Sequence, residues 1–384
     1  MERLDFVNPQ RLEWCLYDSG IAVSECSALT GISEATLQNA LHGSASLTFK
    51  QLGKLSNLFG RGVLFFLEPG PVLETAVHSH AFRTIANQKA ELTPKIKTLI
   101  QRAESQKNIF LSLKEDLEDS YFPAFSPPPL DGISAETAGE TVRRWIGLGP
   151  RNTFDSYRRA VESLGILVFR SNGYLGKWVI EKDSPILGFS LYDESCPVIV
   201  VRKRASEAPQ CFTLFHELAH ILLHRTSSID ENRDFKSTEG REREANIFAA
   251  NILVPLHLLD EVDDKSKPED VSLYDNWLLP YRKAWCVSSD VILLRLLAAG
   301  RLSKYAYTSY SEWKDTNPPD IPELTGHPTR HRHREPMHIF GDTFVRAVLE
   351  SLGSRKITLS KASSYLDGLK INDIHSLESI YAGV

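Results

Sequence analysis

The chain has 384 residues, 42% hydrophobic and 24% charged, with a formal net charge of −5 and a pI near 6.2. That composition suits a globular protein of two or three domains and gives no general electrostatic case for nucleic-acid binding. No apolar run reaches the roughly 18 residues needed to span a bilayer, and the opening Met1 to Phe6 lacks the basic-then-apolar pattern of a signal peptide. Cys15, Cys26, Cys196, Cys211 and Cys286 are scattered without C-x-x-C spacing. They fit a reducing cytoplasm, where thiols act as small core residues, and Cys211 reads as a packed thiol.

Residues 1–70 read as a head of short helices: Pro9 to Tyr17, Val23 to Leu29, Glu34 to Leu41 and Thr48 to Phe59. Gly31-Ile32-Ser33 makes a turn with Ser33 as N-cap, and Gly43 stops the third helix. Helix, Gly-containing turn and helix is the helix-turn-helix pattern, and the segment is similar to the Xre-type repressor family. The recognition helix would be Glu34 to Leu41, with Gln38 and Asn39 as base readers. Charge opposes strong DNA binding. Residues 1–60 hold four Lys and Arg (Arg3, Arg11, Lys50, Lys54) against six acidic residues, whereas phosphate contacts need clustered cations. The competing reading is a helical module kept for protein contact.

Residues 71–130 form a connecting segment. His78 to Arg83 is too short to define a site. Pro94 to Leu117 reads as a long helix whose alternating charges make a solvated face, and Phe122 to Pro129 as a stiff Pro-rich joint.

Residues 131–315 carry the chemistry. Ala135 to Leu148 and Phe154 to Leu164 read as helices, while Gly165 to Phe169, Leu187 to Leu191 and Pro197 to Val201 have strand composition. Next comes Phe212 to His224, in which His216-Glu217-Leu218-Ala219-His220 reads H-E-x-x-H. Residues four apart share a helix face, so His216 and His220 can point at one ion. Glu217 lies about 100° round the helix and flanks the ion as a general base for water. Phe212, Phe215, Leu218, Ala219, Leu222 and Leu223 would bury this helix nearly all round, and buried polar groups need partners.

A catalytic zinc takes a third protein ligand and leaves a position for water. The helix Glu242 to Pro255 offers Glu242, three before Ala245 on its buried face, with Glu244 the alternative and otherwise a solvated first-turn residue. His224 lies about 12 Å along the axis from His216, too far to share the ion, and reads as capping or packing the helix end. Arg225 to Gly240 reads as a mobile polar rim, with Asp230 and Asp234 solvated. Leu256 to Arg301 is mostly helical, with a helix start at Val287 to Asp290.

Residues 316–384 read as a helical C-terminal domain after the Pro-rich linker Asn317 to Pro328. His327 to Arg334 alternates His with Arg330, Arg332 and Arg334. An exposed loop is favoured there over a phosphate or second metal patch, because the arginines repel cations. Phe344 to Leu352 and Ile357 to Leu366 read as helices, and Thr358 to Leu366 resembles a second helix-turn-helix fragment.

The phrases F-T-L-F-H-E-L-A-H-I-L-L-H and E-R-E-A-N-I-F-A-A-N-I-L-V-P resemble, without gaps, the ImmA/IrrE family of metallo-endopeptidases, the M78-type gluzincins. The resemblance implies an α+β zincin-like core with a small sheet beside the metal helix, whose edge strand would receive an extended peptide. It implies one zinc held by His216, His220 and Glu242, with Glu217 as general base. It further implies a cytoplasmic protease that cleaves a repressor or antitoxin-like regulator and so switches a stress or mobile-element response. The recognition helix without basic residues departs from the pattern. The other readings are a DNA-binding regulator with a sensory zinc fold and a partner-binding defence protein with a structural one.

Overall fold

Four short helices fill most of residues 9–59 of the computed structural model, which describes residues 3–19, 21–59, 61–72, 92–117, 122–173, 176–231, 234–237, 239–318 and 332–382. They are α1 (Pro9–Ser19), α2 (Val23–Thr30), α3 (Glu34–Leu41) and α4 (Phe49–Phe59). Each is too short to persist alone. They are held by a shared core that includes Leu12, Cys26, Leu37, Leu52, Leu55 and Phe66. Gly31 takes φ +64° between α2 and α3, a left-handed conformation that favours glycine. Ser33 then caps α3 by accepting a hydrogen bond from the Thr36 amide at 3.3 Å.

The chain divides into two compact units, residues 1–102 and 103–384, with the division inside α5 (Pro94–Asp116). The second unit is mostly helical around a small mixed sheet, an α+β arrangement. Helices α6 (Ala135–Trp145) and α7 (Phe154–Glu162) come first, followed by β1 (Leu167–Arg170), β2 (Ile186–Leu191) and β3 (Val198–Val201). All three strands are buried along their whole length, as expected of short apolar runs covered on both faces. Helix α8 (Glu207–Ala219), its π-helical continuation His220–His224, and α9 (Gly240–Leu253) follow.

A fourth strand, β4 (Ser228–Glu231), lies between these two helices in sequence. It corrects the expectation of a mobile rim over Arg225 to Gly240. The strand order is β1-β3-β2-β4, with β1–β3 parallel and the other pairs antiparallel, so β4 is an edge strand. Its composition hides it, since only Ile229 of its four residues is apolar. What makes it a strand is its pairing with β2, Ile229 opposite Phe189 and Asp230 opposite Gly188.

Helix α8 packs on β2, β3 and α9, and α9 packs on α6. Phe215, Leu218, Phe248 and Ile252 are fully buried between them. Helices α10 (Ser289–Ala298) and α11 (Lys304–Thr316) follow, and Ser288 caps α10 as the Val287 to Asp290 signal suggests. Beyond them, α12 (Glu335–Gly353) packs on β1, where Phe340 and Phe344 meet Phe169 edge to face. Gly341 breaks α12 at φ +79° and ψ 172°. A Cβ there would lie 1.9 Å from Glu162 Oε1, so only glycine fits. The expected features at His78 to Arg83, most of the Asn317 to Pro328 linker and the first part of His327 to Arg334 lie outside the described residues. Among the described residues, no helix is long and apolar enough to cross a membrane.

Candidate metal centre

Three elements deliver four donors to one point: α8 with its π turn supplies His216 and His220, α9 supplies Glu242, and β4 supplies Asp230. The imidazole Nε2 atoms of His216 and His220 lie 3.2 Å apart. Glu242 Oε2 is 3.1 Å from the first and 3.6 Å from the second. Asp230 Oδ2 is 3.2 Å and 3.6 Å from the same two nitrogens. Donors about 2.0–2.2 Å from a tetrahedral ion are separated by about 3.3–3.6 Å from each other. The five observed separations, 3.1–3.6 Å, lie close to that spacing, and neutral imidazoles with carboxylates form a donor set that zinc accepts.

The partners of the other ring nitrogens fix the tautomers. His216 Nδ1 is 2.9 Å from Asn246 Oδ1, and Asn246 Nδ2 donates to the Asp234 carbonyl at 3.1 Å. The amide therefore presents its oxygen to His216, Nδ1 carries a proton, and Nε2 is the nitrogen left to face the centre. His220 Nδ1 is 2.9 Å from His224 Nδ1, and His224 Nε2 is 3.1 Å from Glu244 Oε2. Read from the carboxylate inward, His224 donates to Glu244 and His220 donates to His224, which frees His220 Nε2 for an ion. The Phe235 ring lies 4.6 Å from that of His216 and closes one side.

Glu217 is fully buried, and neither of its oxygens makes a hydrogen bond. Burial, then the neighbouring Asp230 charge, pushes its carboxyl well above the usual range. Gly188 makes room for it, because a Cβ at that position would sit 3.0 Å from Glu217 Oε1 and 2.9 Å from the Val200 carbonyl. For His216, burial disfavours the charged form, but Asp230 and Glu242 outweigh it and raise the imidazole to about 9. For Glu242, burial raises the carboxyl, yet His216 and His220 hold it down at about 2. Asp230 is likewise held low by the two histidines against its burial. A buried group of this kind, with three orphaned carboxylate oxygens on Glu217 and Asp230, is the environment a divalent cation compensates.

His216, Glu217, His220 and Glu242 thus stand together. Asp230 corrects the expectation of a solvated residue: it is 1% exposed and aims Oδ2 into the group. Sequence reading missed it because a four-residue strand with one apolar side chain gives no periodic signal. The alternation of Ser228, Ile229 and Asp230 was the only trace. Asp234, also read as solvated, is partly buried and accepts a hydrogen bond from the Glu231 amide at 2.7 Å. Glu244 is 56% exposed but holds His224, and His224 supports His220 without joining the donor group. Cys211 is buried with Sγ 3.5 Å from Cys286 Sγ. In the first unit, Gln38 and Asn39 are exposed on α3.

The donor set, its burial and the flanking carboxylate describe a metallopeptidase-like centre. The family model Peptidase_M78, described as the IrrE N-terminal-like domain, matches residues 161–297. That span holds the sheet, α8, β4 and α9, and the match supports the ImmA/IrrE family and a metallopeptidase for this part of the chain. No curated protein matches the chain.

Proposed function

We propose that the chain is a zinc-dependent endopeptidase of the cytoplasm that cleaves a regulatory protein, a repressor or antitoxin-like partner. The observation that carries this is the convergence of His216, His220 and Glu242 beside a buried carboxylate with no hydrogen bond. A purely structural site has no use for that carboxylate. Zinc held there supplies Lewis acidity toward a peptide carbonyl and acidifies water. His216 and His220 would hold it through Nε2, with Asn246 and His224 keeping the rings oriented. Glu217, its proton affinity raised by burial, takes a proton from the attacking water and returns it to the leaving amine. As an edge strand, β4 has backbone groups to pair with an extended substrate.

The first unit serves recognition in this reading. Its four-helix order supports an Xre-like module, and the absence of basic residues from α3 favours a protein partner over direct operator binding. The test is to incubate zinc-loaded wild type and Glu217→Gln with each protein encoded beside it. A fragment that appears only with wild type, and disappears with chelator, is expected. Fragments of equal yield from Glu217→Gln would sink the assignment.

A further inference from the structure

A catalytic zinc keeps one position open for water, whereas a zinc with four protein ligands is closed. The donors assembled here number four, because Asp230 comes as near to His216 and His220 as Glu242 does. Glu242 is 30% exposed, but Asp230 is 1% exposed and enters from the sheet side, next to Glu217. Its two oxygens are in different situations. Oδ1 accepts a hydrogen bond from Ser228 Oγ at 3.1 Å, which sets the carboxyl plane, and Oδ2 has no hydrogen bond and points into the donor group.

The rest of the segment reinforces that closure. Beyond β4, the 3-10 turn Asp234–Lys236 places Phe235 over the His216 ring. Asn246 ties the same turn to α9 through the Asp234 carbonyl. Asp234 in turn bonds back to the Glu231 amide. One short stretch between the two ligand helices therefore supplies a donor, an aromatic cover and the hydrogen bonds that seat both. With this stretch seated, His216, Glu217 and His220 are at most 2% exposed.

We propose that Asp230 is a fourth protein ligand that closes the metal centre and holds the peptidase latent until β4 shifts. This rests on reading His216, His220 and Glu242 as a metal centre. The strand that would pair with substrate is the strand that supplies the closing ligand, so a partner that engages β4 acts directly on the closure. Peptide pairing along β4 and withdrawal of Asp230 then become one event, and the enzyme is switched by the protein it meets.

Substituting cobalt for zinc in the full-length chain tests this, with acetohydroxamate as the probe of an open position. Wild type should give a tetrahedral cobalt spectrum that does not change with hydroxamate. Asp230→Asn should bind zinc at least about tenfold more weakly and gain a hydroxamate-dependent spectral shift. At saturating zinc, it should also cleave an unstructured peptide mixture at least tenfold faster than wild type. A wild-type spectrum that already shifts with hydroxamate overturns the proposal, and that measurement decides even if the variant fails to fold. An opened variant with no gain in cleavage overturns the latency. If His216→Ala retains stoichiometric metal, the underlying centre is misread, an outcome distinct from failure of Asp230 alone.

Discussion

Two buried clusters of charged side chains in the second unit are completed in opposite ways. Arg158, 3% exposed, donates through Nε to Glu162 at 3.0 Å. Its terminal nitrogens reach the carbonyls of Met337, His338 and Ile339 at 2.9–3.2 Å, and that of Val168. Glu162 also accepts from the Thr343 amide and hydroxyl at 3.4 and 3.2 Å. The chain breaks α12 at Gly341 to bring these groups together. In the His216 group, by contrast, both oxygens of Glu217 and one of Asp230 are left without hydrogen bonds. A buried cluster satisfied from within is structural. One that gathers donors around a point and leaves carboxylates unpaired is a receptor for something the chain does not encode.

The comparison breaks hardest at Arg158. Arg158→Ala strands Glu162 and four carbonyls, so it should cost about 3–5 kcal/mol in urea unfolding, with or without zinc. A loss under about 1 kcal/mol would show that the first cluster is not what holds α12 against β1 and α7. The second cluster should respond to the ion instead. Zinc at a hundredfold excess over its Kd should stabilise the protein by about 3 kcal/mol, read as a rise in Tm that EDTA reverses. His216→Ala should abolish that rise, and an equal rise in the variant would place the ion elsewhere.

How much of this was legible beforehand follows from how each residue reaches the centre. His216, Glu217 and His220 lie on one apolar helix, where 3.6-residue periodicity projects spacing directly onto geometry. Glu242 could be placed because α9 has its own buried stripe at Ala245, Phe248, Ala249 and Ile252. Asp230 could not, since its position depends on a strand that exists only by pairing with β2, and register between distant segments is not written in local composition. The three buried strands were readable as apolar runs. The Arg158 cluster was not, because beyond Glu162 and Val168 its partners come from residues far along the chain.

Beyond the donors themselves, the hydrogen bonds that orient them give the next smaller effect. His224→Phe keeps the volume near the π turn but removes the acceptor for His220 Nδ1, so His220 loses its fixed tautomer. Zinc affinity should fall about 10–100-fold, measured by competition with a chromophoric chelator. Glu244→Gln acts one bond further out on a half-exposed residue and should cost about tenfold or less. If Glu244→Gln weakens binding more than His224→Phe does, then Glu244 is acting on the ion itself and not through the ring.

The last test separates the clusters by pH. In the metal-free chain His216 is raised to about 9, against burial, by Asp230 and Glu242. Its folded pKa lies above the usual unfolded value, about 6.5, so its charged form stabilises the metal-free fold below pH 6.5. That contribution is lost as pH rises through about 9. An ion must displace the same proton, because only the neutral imidazole ligates. Apparent zinc affinity should therefore climb about tenfold per pH unit between 7 and 9 and then level off, while metal-free stability falls over the same interval. Zinc-loaded protein, with Nε2 committed to the ion, should show no such fall. A pH-independent affinity across this window would mean that the carboxylates around His216 do not hold its proton, and the charge balance drawn for the centre would have to be rebuilt.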